Sequence, residues 1–176
     1  RHPMSTQVTH FLHAVTLFQD LDADAISALA PLMIPQRLNA GSVVFQEFDE
    51  SDALYVIENG SVVVSKQVRD DVDMVLTRFH PGDFFGEMGL FDAAPRSATA
   101  NTEVESIIWR LDRSVFHDIF SHHPDIASKI CYRLVTVFIE RLRATNEQAR
   151  EAVRWGLEAT GYAPAGHDSL FGRKSS

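Results

Sequence analysis

Hydrophobic positions along this chain change their period twice. From Val8 to Leu32 they recur at helical spacing. Asp22 is placed to cap a helix carrying Ile26, Leu29 and Leu32 along one side, which Pro31 should end or kink. Leu17-Phe18, ahead of Gln19-Asp20-Leu21, forms an apolar knuckle between helical pieces. From Ile34 to Asp112 the period falls to two. The runs 43–45, 53–57, 62–64, 74–76 and 106–111 are short and rich in β-branched or aromatic residues, which predicts strands. Asn59-Gly60 predicts a hairpin turn, and Arg69-Asp70-Asp71 a second one. Short strands at this spacing build an antiparallel sandwich or barrel, not a parallel sheet. After Asp112 the helical period returns. Val115, Phe116, Ile119 and Phe120 predict a short amphipathic helix stopped by His122-His123-Pro124. Asp125 is then expected to cap a long helix, 124–155.

The long helix is apolar over more than one side. At roughly 100° per residue, Ile126, Ile130, Leu134, Val137, Phe138, Ile139 and Leu142 span about 220°, whereas lying on one surface needs little more than ~100°. Either one side packs on the β unit while another meets a second copy, or the helix is buried more deeply in its own domain. The expectation is a homodimer through this helix.

Composition narrows the classes. The 176 residues make about one domain with some length left over. A hydrophobic fraction of 45% is enough for a core and excludes disorder. With 16 Lys+Arg against 24 Asp+Glu, the net charge of −8 argues against DNA or an anionic membrane as partner. No stretch approaches the ~18 apolar residues of a membrane span. Met4 reads as the native start and the three residues before it as an expression scar, so the cytoplasm is expected. Cys131 is the single cysteine, and nothing requires an oxidising compartment. Residues 156–176 read as an irregular tail beyond a domain at 8–155.

Candidate chemistry concentrates between Gly82 and Thr99. Gly86-Glu87-Met88-Gly89 follows a strand and opens a single helical turn, whose first amides favour an anion. Arg96, ten residues on, offers a planar fork matched to phosphate, and Ser97 adds a hydroxyl. Glu87 would repel a phosphate and is better explained as acceptor for a sugar hydroxyl. Phosphate plus ribose means a nucleotide. Read blandly, Arg96 and Glu87 form a structural ion pair and Ser97 satisfies a turn.

Residues 82–91 with Pro95-Arg96-Ser97-Ala98-Thr99 resemble the phosphate-binding cassette of the cyclic-nucleotide-binding domain family. The resemblance covers about Phe11 to Glu147 and includes Leu17-Phe18, Leu54-Tyr55-Val56-Ile57 with Gly60, and Gly82-Asp83. It implies an α+β fold: an antiparallel, jelly-roll-like β-roll at 34–112 holding a cassette at 84–99, between N-terminal helices and the long C-terminal helix. It implies that Glu87 binds the ribose 2′-hydroxyl. Arg96 and Ser97 would bind the cyclic phosphate with backbone donors from Gly86 to Met88. Val64, Leu76 and Phe79 would line the cavity, and Thr145-Asn146 would reach the purine. The ligand implied is cAMP, with cGMP as its rival because a hydroxyl after the arginine can also reach a guanine amino group. The family usually has a glycine-bearing turn where this chain has Glu47-Phe48-Asp49-Glu50.

The expected function is a non-enzymatic receptor signalling through its C-terminal helix to an effector protein. The alternatives are a ligand-free interaction scaffold and a truncated transcription regulator. Asp20-Leu21-Asp22-Ala23-Asp24 mimics the start of a calcium loop. It lacks the glycine at position six and the glutamate at twelve, where Ala25 and Pro31 stand. His10 with His13, and His122 with His123, lack a third ligand. A cupin-like metal set of His80, Asp83 and Glu87 lacks a second histidine. No catalytic motif and no metal site are therefore expected.

Overall fold

The computed structural model describes residues 6–69 and 72–160. Asp70-Asp71 of the second expected turn, the first residues and the stretch from Gly161 onward lie outside the described residues. The chain divides into two compact units, Arg1–Leu134 and Val135–Ser176.

In the first unit the helical start resolves into α1 (Thr6–Ala14) and α2 (Ala23–Leu29), with a 3-10 turn at Thr16–Phe18 between them. Asp22 is extended, and its side chain accepts from the Ala25 amide at 2.8 Å, which caps α2. Ile26 and Leu29 are buried, but Leu32 is 39% exposed. Pro31 has already tightened the chain into the 3-10 turn Ala30–Leu32, so Leu32 leaves the apolar side it was expected to join.

Eight strands follow: β1 (Ile34–Leu38), β2 (Val43–Phe45), β3 (Ala53–Asn59), β4 (Val62–Arg69), β5 (Val72–Phe79), β6 (Phe84–Phe85), β7 (Thr99–Thr102) and β8 (Ser106–Asp112). They form two antiparallel sheets, in order β1-β8-β3-β6 and β2-β7-β4-β5. This is the expected α+β roll. Pro35 sits in β1, an edge strand, where a missing amide breaks no ladder. Tyr55, Ile57, Phe85 and Ile108 of one sheet meet Val62 and Ala100 of the other. The Phe85 ring stacks on Tyr55 and on Phe79 at 5.4 Å each, which fills the roll beside the cassette. On β5 the register skips a residue: Val64 pairs with Thr77 and Ser65 with Val75, leaving Leu76 as a bulge.

The last elements of this unit are α3 (Arg113–His122) and the start of α4 (Pro124–Ala159). α3 buries Phe116 and Ile119, while Phe120 stays 42% exposed. The Phe116 ring stands edge-on to both Phe91, at 5.7 Å, and Phe120, at 5.1 Å. Asp125 is not the cap of α4. The amides of Ile126 and Ala127 both bond to the His123 carbonyl, and Pro124 takes the first helical position, where a missing N–H is harmless. Asp125 lies in the first turn, where its charge suits the helix dipole. Ile126, Ala127, Ile130 and Leu134 are buried, and Arg133 grips the Asp20 carboxylate with bonds of 2.6–2.9 Å.

In the second unit α4 continues to Ala159, so residues 156–159 of the expected tail are helical. A lone glycine such as Gly156 costs a helix only about 1 kcal/mol, too little to end it. On this unit Phe138, Ile139 and Leu142 are exposed and Val137 is half-buried.

Candidate functional site

The cassette begins where β6 ends. Gly86 has φ +72°, and the next residues close a 3-10 turn, Glu87–Leu90. A Cβ on Gly86 would lie 2.9 Å from Nη1 of Arg96, and one on Gly89 3.0 Å from the Ala53 carbonyl oxygen. Glycine at both places lets the arginine pass tightly under the turn. The Arg96 side chain is thereby almost fully enclosed, with the residue 5% exposed. Its Nη1 donates to the Gly86 carbonyl at 3.1 Å and its Nη2 to the Ala53 carbonyl at 2.7 Å. The guanidinium carbon lies 4.2 Å from the Phe45 ring centroid, a cation–π contact. Burial pushes the guanidinium pKa down from its ordinary value. One nitrogen is left over: Nε of Arg96 is buried and has no hydrogen-bond partner. A buried charged donor without a partner is costly, and an anion beside it removes that cost.

A cavity of about 270 Å³ opens beside this arginine. Six of the expected residues line it: Val64, Gly86, Glu87, Met88, Arg96 and Ser97. Glu87 is buried at 6% exposure, whereas Met88 is 65% exposed and Ser97 is exposed. The size and the pairing of a buried cation with a buried carboxylate fit a small phosphorylated sugar. Two expected wall residues do not line this cavity. Leu76 is 48% exposed at its bulge on the edge strand, and Phe79 is turned into the core against Phe85. Thr145 and Asn146 belong to the second unit, where both are exposed and the Thr145 hydroxyl donates to the Arg141 carbonyl at 2.9 Å.

Three participants were not expected. Phe45 and Ser51 line the cavity, and Asp52 stands 4.0 Å from Arg96 while holding Arg110 at 2.8 Å. The pairing of β3 with β8 sets Asp52 opposite Arg113, whose amide donates to the Asp52 carbonyl at 2.8 Å, and the longer Arg110 side chain reaches back to the Asp52 carboxylate. The turn that lacks the family's glycine keeps a glycine's conformation, since Phe48 has φ +74°. It is the one non-glycine with positive φ among the described residues. No cluster of His, Cys, Asp or Glu that could hold a metal occurs among the described residues. No described helix is long and apolar enough to cross a membrane.

The protein is thus a two-sheet roll that buries an arginine under a glycine-opened turn beside a cavity. The family model of the cyclic nucleotide-binding domain matches residues 35–123, and the chain belongs to that family. It is 31% identical over 137 residues to a CRP-like cAMP-activated global transcriptional regulator of Mycobacterium tuberculosis, with 78% of this chain and 59% of that protein covered. It is 30% identical over 147 residues to a cAMP-dependent protein kinase regulatory subunit of Blastocladiella emersonii, with 84% and 36% covered. The chain thus spans less than two thirds of the length of either. The crystal structure of the N-terminal domain of a transcriptional regulator from Streptomyces coelicolor superposes with a TM-score of 0.68. Its sequence identity is 28%, with 79% of this chain and 94% of that one covered.

Proposed function

We propose that this domain is a non-enzymatic receptor for cAMP that regulates a partner protein in the cytoplasm. The observation that carries the reading is the buried, unpartnered Nε of Arg96, a residue that lines the same cavity as Glu87. The cyclic phosphate takes Arg96 Nε, the Ser97 hydroxyl and the amides of the turn from Gly86 to Met88. Glu87 accepts from the ribose 2′-hydroxyl, and Val64 and Phe45 supply apolar wall. The relatives named above for cAMP support the choice of base. The acidic balance of the chain supports a protein rather than DNA as effector. Output runs through α4, which forms a homodimer with a second copy.

Two other readings have their own observations. Ser97 is exposed on the cavity wall, where a hydroxyl can also serve a guanine, so cGMP belongs in every assay. Nη1 and Nη2 of Arg96 are already held by two carbonyls, which favours a scaffold in which the arginine is structural. Calorimetry with cAMP and cGMP separates these readings. Arg96→Leu is expected to lose cAMP binding, at a cost of about 2–5 kcal/mol for a buried phosphate left without its cation. Near-wild-type affinity in that variant, or no heat with either nucleotide in the wild type, rejects the receptor reading.

A further inference from the structure

The turn after β2 is bound to Arg96 through the main chain. The Asp49 amide donates to the Gln46 carbonyl at 3.1 Å, closing four residues, and the Asp49 carboxylate accepts from the Gln46 amide at 2.8 Å. The third residue of this turn is Phe48, at φ +74°. Glycine takes that region readily in a type II turn, and a bulky L residue avoids it. The Phe48 side chain is 78% exposed, so little burial offsets the strain. What the conformation secures is a pair of main-chain bonds. The Phe48 amide donates to the Arg96 carbonyl, and the Arg96 amide donates to the Asp49 carbonyl, both at 2.8 Å. The Glu47 amide extends the pairing to the Thr99 hydroxyl at 2.9 Å.

Both polar main-chain groups of Arg96 are therefore held by one turn, while two carbonyls fix the far end of its side chain. Of the three guanidinium nitrogens only Nε has no partner, and its position depends on where the backbone of residue 96 is held. We infer that Phe48 and Asp49 are positioning residues for Arg96: the left-handed backbone at 48 sets where the guanidinium meets the phosphate. The inference rests on the cyclic-nucleotide reading above. It makes the conformation of residue 48 matter and its aromatic ring not.

The test is a series at one position, Phe48→Gly, Phe48→Asn and Phe48→Val, in the full chain. Glycine and asparagine accept a positive φ, and β-branched valine does not. Calorimetry should rank cAMP affinity as Gly and Asn at or above Phe, with Val at least tenfold weaker. A second readout is the affinity ratio of the Rp and Sp phosphorothioate analogues of cAMP, which carry sulfur at one or the other exocyclic phosphate position. Loss of folded protein lowers both affinities together and leaves their ratio alone, whereas a displaced guanidinium changes the ratio. The ratio should move in Phe48→Val and return in Phe48→Gly. If Phe48→Val does not fold, Asp49→Ala, which removes the carboxylate cap of the turn, should move the same ratio. Affinity that follows ring size, with Phe above Val above Gly, overturns the inference, and so does an unchanged ratio throughout. A wild type that binds neither cAMP nor cGMP overturns the receptor reading and the inference with it.

Discussion

Arg96 and Glu87 divide the work at the residue scale by charge. A buried guanidinium whose Nε has no partner suits a phosphate, and a buried carboxylate nine positions earlier does not. Under the proposed function Glu87 takes the sugar, and this role has its own signature. Glu87→Gln keeps the shape and an acceptor oxygen but removes the charge. A hydrogen bond to a charged group contributes about 1.5–3 kcal/mol, against about 1 for a neutral one. Affinity for cAMP should fall by roughly tenfold, at 1.4 kcal/mol per decade. Affinity for 2′-deoxy-cAMP, which offers no hydroxyl to Glu87, should hold or rise. Equal losses for both ligands in a competition assay would make Glu87 a structural residue.

Elements show how far residue pattern alone carries. Wherever apolar period and turn chemistry agreed, as in β3, β4 and β8 with Asn59-Gly60 between the first two, the expected runs became strands. β1, β6 and β7 had no such run. Ile34-Pro35-Gln36-Arg37-Leu38 and Thr99-Ala100-Asn101-Thr102 are strands because partners in β8, β2 and β4 satisfy their backbones, a tertiary cause invisible to local propensity. The cassette was readable because its residues lie within one short stretch of chain. Phe45, Ser51 and Asp52 were not, because only strand pairing brings them to it. Leu76, expected in the wall from the family resemblance, stands at a one-residue bulge, which breaks the side-chain alternation of the strand. The start of α4 shows the same logic in energetic form. Ile130 is fully buried in the first unit. Ile130→Ala should destabilise by about 2–5 kcal/mol, the range for aliphatic truncation in a core. A thermal midpoint within a degree of wild type would mean that α4 is not docked there.

At the scale of the whole molecule, the second unit poses the question of what covers its exposed side chains. Val135, Leu142 and Ala149 repeat every seven residues, and Ile139, Asn146 and Val153 repeat four residues after them, all exposed on α4. That is a heptad pattern with β-branched residues and one asparagine at a positions, and leucine among the d positions. It is the preference of a parallel two-stranded coiled coil, in which a single asparagine fixes register and strand number at some expense of stability. The expected dimer therefore gives Asn146 a role in the seam that competes with its expected contact to the purine. Asn146→Ile distinguishes the two. In the seam, the variant should raise the thermal midpoint and let light scattering detect species larger than a dimer, with cAMP affinity little changed. At the purine, it should weaken cAMP binding and leave the oligomer as it was. A wild-type chain that stays monomeric at every concentration rejects the seam. Output through α4 would then require a different molecule on that face, because these side chains cannot stay in water in a signalling complex without wasting the apolar area that α4 presents.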